Sequence, residues 1–232
     1  MDPKQAQATL DKIIHHITGY QNPFSLEQFL EKYAFDVDLP VQVQDATTGE
    51  TTWTQSANAS KFMTLNNVFL RAQEADWGQE KRPLRSIEDM LQAWEAVNYT
   101  ATERQLDSLN MAQSDNVYTS ENVFRSQDIS RSKNILFSES VNDCEYVAAS
   151  QRSHGSTYCV RLEDSTTCSN SFSVAWSANV VNSLFITASS NMYECMFCSN
   201  MKDKKFCIAN MQCTEEEYWP LKDMVLRWLL GM

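Results

Sequence analysis

Ser120-Glu121-Asn122-Val123-Phe124-Arg125-Ser126-Gln127-Asp128-Ile129-Ser130-Arg131-Ser132-Lys133-Asn134-Ile135 is the stretch that decides the fold. Serine returns at every sixth position, an aliphatic residue follows it by three, and Asn or Asp stands just before the aliphatic. The serine series runs from Ser108 through Ser114 to Ser138, continues as Cys144 and reaches Ser150. The aliphatic series holds Met111, Val117, Val123, Ile129, Ile135, Val141 and Val147. A helix face recurs near 3.6 residues and a strand face at 2, so neither explains a period of six. A coiled sheet does. One short strand and a bend cannot bury an apolar row alone, but stacked copies bury it against one another.

The pattern predicts a parallel β-helix, or β-solenoid, of six-residue repeats. Three such sides make a triangular coil of about 18 residues. Ser108 then stacks on Ser126 and Cys144, Val117 on Ile135, and Val123 on Val141. Val117, Val123, Ile129, Ile135 and Val141 form the inner ladder. Small Ser and Cys suit inward positions near corners, and Asn suits bends because it tolerates left-handed backbone. Between Ser150 and Cys159 the series breaks. It resumes at Ser165, Ser171, Ser177, Ser183 and Ser189, with Cys168, Val174, Val180, Ile186 and Met192 three residues after each. The register has slipped by three, which reads as a short insertion or deletion that loops out over Gln151 to Tyr158.

The class is thus α+β. Residues 1–106 read as a mainly helical region. Asp2-Pro3 opens a helix with Leu10, Ile13, Ile14 and Ile17 on one face. Ser25 precedes a second stripe of Leu26, Phe29, Leu30 and Tyr33. Residues 38–54 read as a hairpin around Thr48-Gly49. Ser60 to Trp77 reads as helix. Ser86 and Asp89 have capping-box spacing before Ile87, Met90, Leu91, Trp94 and Val97. The solenoid takes residues 107–213 and a C-terminal capping helix takes 214–232. Thr214 and Glu217 repeat the capping-box spacing, while Pro220 places the start of the main helix near Trp219. Leu221, Met224, Val225 and Trp228 then make one stripe. Leu226 and Leu230 point away from it, so Leu226, Trp228 and Leu230 are candidate interface residues. The helical first half is expected on the first coil, because open sheet ends pair with other chains, and the last helix over the last coil or against a neighbouring subunit.

Met192 to Tyr218 carries Cys195-x-x-Cys198, Asn200, Lys204, Cys207-Ile208, Asn210 and Glu216-Glu217-Tyr218. With the Ser-x-Asn-Val hexads, these residues resemble a group of uncharacterised solenoid-like proteins found in ultrasmall bacteria. The resemblance covers about residues 95 to 228 and departs at Met211 and Cys213. It implies the fold and no chemistry.

The chain has 232 residues, 19 Lys and Arg against 30 Asp and Glu, and a formal net charge of -11. That balance argues against coating nucleic acid, which needs cations on phosphates. No apolar run has the length of a membrane span, and the N-terminus lacks a signal peptide's apolar core, so a cytoplasmic or virion-like setting is expected. Cys195, Cys198, Cys207 and Cys213 could hold zinc as four thiolates, but three of them fall in one six-residue phase, as buried ladder thiols would. His154, in the expected loop, is the one residue placed to act as the base of a hexapeptide-type acyltransferase, and the Gly-containing repeats of those enzymes are missing. Asp76, Glu80, Glu88, Asp89, Glu95 and Glu103 read as a solvated acidic face, since nothing fixes a catalytic carboxylate pair. No phosphate-binding loop or nucleophile elbow is present, and no cofactor is expected. The reading that follows is a structural or protein-interaction component. Its partners are other protein subunits, in a homo-oligomer or larger assembly. The alternative is a carbohydrate- or peptide-binding solenoid using Trp176, Phe172, Tyr193 or Phe197.

Overall fold

The structure, a computed structural model, describes residues 1–59, 61–74 and 77–232. It contains an N-terminal helical region, a parallel β-solenoid and a C-terminal helix. The coil is shorter than the sequence pattern led us to expect. Val117 pairs with Ile129, Val123 with Ile135, Ile129 with Val141 and Ile135 with Val147, each step being twelve residues. Val123 therefore stacks on Ile135, not on Val141, and Ser108 is followed in its column by Ser120.

The backbone explains the tighter coil. Every third residue from Asp107 to Ala209 is left-handed, with φ between 44° and 61°. Each one bends the chain after two extended residues, so four bends close a coil of four three-residue sides. One residue per side points inward. Left-handed backbone disfavours most L-residues by roughly 1–2 kcal/mol. The preceding coil offsets this by satisfying the bent residue: the N–H of Arg125 donates to Ala112 O at 3.0 Å, and that of Phe137 to Phe124 O at 3.1 Å.

Serine completes the accounting. Ser126 Oγ donates to its own strand at Phe124 O (2.9 Å) and accepts the Ser138 N–H of the next coil (3.0 Å). Ser120 repeats this with Tyr118 O and the Ser132 N–H. A buried hydroxyl is thus a backbone bridge between coils. Aliphatic residues fill the alternate inward positions, and Val117, Val123, Ile129, Ile135 and Val141 are fully buried.

Residues 151–158 are not an excursion. Gln151–His154 and Thr157–Glu163 are ladder strands, and the twelve-residue step continues through them. What changes is the chemistry of the columns. Ser150 is followed by Leu162, Val174 and Ile186, while Val141 is followed by Ser153, Ser165 and Ser177. Serine and aliphatic columns exchange places, and the serine corners move by one side of the coil. The seven-residue strands Thr157–Glu163 and Ser169–Ala175 carry the change, running past the old corner without a break.

Helices cover one flank of the coil. The outward column Phe124, Leu136, Ala148, Val160, Phe172, Leu184 and Met196 is apolar and buried. Helix α1 (Pro3–Thr18) lays Ala6, Leu10, Ile13 and Ile14 on it, and α2 (Leu26–Tyr33) adds Phe29 and Tyr33. Both begin with complete capping boxes, at Asp2 and Ser25. These helices run along the side of the solenoid rather than over its first coil, because the apolar surface lies there.

The first coil meets a smaller unit. The hairpin Val41–Gln44 with Thr51–Thr54, and the parallel pair Phe62–Thr64 with Thr100–Thr102, sit beside α3 (Leu65–Glu74) and α4 (Ile87–Glu95). The helix expected from Ser60 starts only at Leu65, after a strand; Ser60 itself and Asp76 lie outside the described residues. Fully buried Asp115 joins this unit to the coil. It accepts from the Gln55 N–H (2.9 Å), the Arg104 N–H (2.8 Å) and the Arg104 guanidinium (2.9 Å).

Helix α5 (Glu215–Leu230) begins at Thr214, with Pro220 inside it. It buries Tyr218, Leu226, Leu229 and Leu230 against the flank and leaves Met224 and Trp228 exposed. That reverses the stripe expected from the sequence, because the helix meets the flank column and α2 instead of the coil end. Lys222 anchors it through Glu194 Oε2 at 2.6 Å and Asn182 O at 3.0 Å. The last four-residue strand, Lys202–Lys205, is exposed throughout, and Lys204 follows Met192 in its inward column; only the two-residue strands Cys207–Ile208 and Met211–Gln212 come after it. A charge at an inward position blocks a further coil.

Candidate functional site

Two helices and the flank leave a cleft of about 460 Å³ lined by Lys32, Tyr33, Phe35, Arg161, Phe172, Ser173, Phe185, Trp228 and Leu229. The coil supplies its floor. Arg161, Ser173 and Phe185 are successive left-handed residues of one column, and Phe172 precedes Ser173. Phe185 lies 5.6 Å from Phe172, 4.8 Å from Phe197 and 6.0 Å from Trp228 between ring centroids. Phe35 and Trp228 stand at the mouth, 71% and 65% exposed.

The polar groups at the rim are fixed. Tyr33 Oη donates to Leu229 O at 2.8 Å, and burial pushes its pKa up to about 12, so it remains a neutral donor. Lys32 Nζ donates to the same carbonyl at 3.0 Å, at the C-terminal end of α5. Arg161 donates to Tyr33 O at 2.6 Å and forms an ion pair with Asp36 at 2.7 Å, its guanidinium 4.7 Å from the Phe35 ring centre. The cleft is therefore a preformed aromatic slot with two cationic groups at its edge. It has no nucleophile paired with a base.

The residues singled out by sequence fall elsewhere. His154 ends a strand on the open side of the coil instead of sitting in a loop. Its Nδ1 is 3.6 Å from Asp143 Oδ2, and the side chain is 54% exposed on an open surface. Cys195, Cys198 and Cys207 are buried in the ladder, and Cys213 is half-buried beyond it. Cys195 Sγ donates to Tyr193 O at 3.4 Å and Cys198 Sγ to Met196 O at 3.3 Å, the local bond that the serines make. Its hydrogen bond with Cys198 and its burial hold Cys195 well above the ordinary thiol value. Burial does the same at Cys168, to about 11. Among the described residues no three His, Cys, Asp or Glu side chains converge as metal ligands would. Leu226 and Leu230 are buried within the chain, and Trp228 belongs to the cleft mouth.

The four aromatics named for ligand binding do not share a face. Phe172 is buried in the flank, and Phe197 stacks on Phe185 there. Tyr193 lies under Lys205. Trp176 stands on the opposite side, 58% exposed, beside an open trough of about 470 Å³ that includes Asp164, Thr166, Ala178, Ala188 and Ser190. The sequence reading missed Phe35, Arg161 and Phe185. Its usable signal was the apolar residue at every twelfth position, Phe124 to Met196, which marks the flank where helices must pack.

No helix among the described residues is long and apolar enough to cross a membrane. No family model, curated protein or solved structure matches the chain.

Proposed function

We propose that this chain is a non-enzymatic interaction protein, a component of a larger assembly, in which the solenoid is a rigid beam and the flank cleft is where a partner protein docks. The solenoid surface itself is rigid and repetitive. The observation that carries the proposal is the exposure of Phe35 and Trp228 over a floor of Phe172 and Phe185, beside a column from Phe124 to Met196 that the helices cover. Exposed aromatics around a preformed apolar slot are what an anchoring side chain of a partner fills, and Trp and Tyr dominate such anchors. Arg161 and Lys32 offer N–H donors at the rim. The cationic blunting of the last coil turns association away from the ends and toward this flank.

The test is photo-cross-linking in the source cell. A photoreactive residue at Phe35 should trap a discrete protein adduct, which Trp228→Ala should abolish. The same probe at Thr187, on the far side, should trap none. Equal labelling from both positions, or none from Phe35, contradicts the proposal.

Trp176 favours a second reading, a carbohydrate ligand. An exposed indole next to Asp164, Thr166 and Ser190 can stack a sugar ring and bond its hydroxyls. Glycan-array binding that Trp176→Ala removes and Trp228→Ala spares would select that reading.

A further inference from the structure

Helix α4 is amphipathic, yet none of its residues is buried. Ile87, Met90, Leu91 and Trp94 occupy one helical face and are 47% to 65% exposed, and Leu84 just before the helix is 48% exposed. Nothing among the described residues covers this stripe. The helix is held at its C-terminal end instead, where Gln79 Nε2 donates to Ala93 O (2.7 Å) and Lys61 Nζ to Glu95 O (2.9 Å). A helix with an apolar face gains its stability mainly by burying that face. Here the face is open while the capping box at Ser86 and Asp89 is complete.

The stripe is complementary to itself. About the midpoint between Met90 and Leu91, an antiparallel copy sets Ile87 opposite Trp94, Met90 opposite Leu91, and Leu84 opposite Val97. Charge agrees with that arrangement. Lys81, Arg82 and Arg85 precede the helix and Glu95 ends it, and none of the four forms an ion pair among the described residues. Two-fold antiparallel pairing brings Arg85 within one residue of the second copy's Glu95 and opposes the two helix dipoles. A two-fold contact uses one patch twice, as most soluble dimers do. A lipid surface fits less well, because the remaining positions of the helix hold Glu88, Asp89 and Glu95, where an interfacial helix carries Lys and Arg.

We infer that α4 is a self-association surface, and that a second copy of this chain covers its stripe in a two-fold, antiparallel helix pair. The pair buries on the order of 1,000 Å², the lower bound for a specific interface. The dimer is therefore a reversible one, with a dissociation constant of about 1–100 µM. It stands apart from the flank cleft, and Trp228→Ala leaves it intact.

Sedimentation velocity of the full chain between about 1 and 100 µM tests this. The wild type should pass from monomer to dimer across that range. Trp94→Glu should stay monomeric with an unchanged melting curve, since the residue it replaces is exposed. Leu91→Gln repeats the test with a milder change. Arg85→Glu should weaken the dimer about tenfold, and Arg85→Glu combined with Glu95→Arg should restore it. A wild type that is monomeric throughout, or a dimer unaffected by Trp94→Glu and Leu91→Gln, overturns the inference. A monomer that floats with phosphatidylglycerol vesicles unless Trp94 is replaced also overturns it, and gives the stripe to a lipid surface.

Discussion

The two halves of the ladder share a backbone and differ in which columns hold serine. Below the exchange, serine fills the columns of Ser108 and Ser114, and aliphatics fill those of Met111 and Val117. Above it, serine fills the columns of Ser165 and Ser171, and the former serine columns hold Val174 and Val180. All four positions face inward in both halves, and all take the same left-handed bend one residue earlier. The comparison teaches that the coil is defined by its bends. Corner and strand centre are roles that the side chains assign afterwards. A serine whose hydroxyl bridges two coils makes a corner, and a β-branched residue makes a strand centre.

Equivalence of the halves can be broken most severely by charge. Val123→Asp below the exchange and Ile186→Asp above it each bury an unpaired carboxylate, at a cost of roughly 4 kcal/mol or more. Both should abolish the cooperative thermal transition seen by circular dichroism. If Ile186→Asp left most of that transition in place, the upper half would be an independent unit.

Removing a bridging hydroxyl is a milder probe. Ser126→Ala strands the Ser138 N–H, and Ser177→Ala strands that of Ser189. Each should destabilise by about 1–3 kcal/mol in chemical denaturation. Unequal losses would show that the columns are not interchangeable.

The bends themselves can be improved. Thr119 and Thr167 are β-branched residues at φ 48° and 56°, one in each half. Asn tolerates this region better, so Thr119→Asn and Thr167→Asn should each raise stability by about 0.5 kcal/mol. A fall in melting temperature for both would contradict the role given to the bends.

Smallest are the surface ladders of charge. Arg131 bonds Asp143 at 2.7 Å below the exchange, and Arg152 bonds Asp164 at 2.9 Å across it. Hydrogen bonds from these guanidinium groups hold both carboxyls below the ordinary value of 3.8. A carboxyl depressed in the folded state contributes its stability above its unfolded value and loses it as the pH falls through the folded one. The two should titrate alike by NMR, below pH 3.8, and rise toward it in high salt. A normal value for one of them would mean that its ladder is absent in solution.

Much of the solenoid was legible because small and aliphatic residues recur at six over the whole tract. The length of the coil was not, because twelve and eighteen are both multiples of six. The deciding feature is a left-handed bend at every third residue. Asn and Asp advertise it at positions such as Asn122 and Asp128, but Phe137, Tyr146 and Trp176 adopt it silently. The exchange looked like an insertion because the two kinds of column lie three residues apart, the size of the apparent slip. The thiols of the ladder could be read, since Cys195 and Cys207 keep the phase of the serines. The cleft could not, because it joins residues 32–35, 161–185 and 228–229 through helix placement that no local pattern encodes.

The twelve-residue coil is tested most directly by a distance. Nitroxide labels on Tyr118→Cys and Ser190→Cys, with half-buried Cys213 replaced by Ser, sit in one outward column. On a twelve-residue coil they are six coils apart, about 29 Å at the strand spacing. On an eighteen-residue coil they would be four coils apart, about 19 Å. Pulsed electron paramagnetic resonance should give a single narrow distribution centred at the longer distance, and a distribution centred at the shorter one would contradict the account.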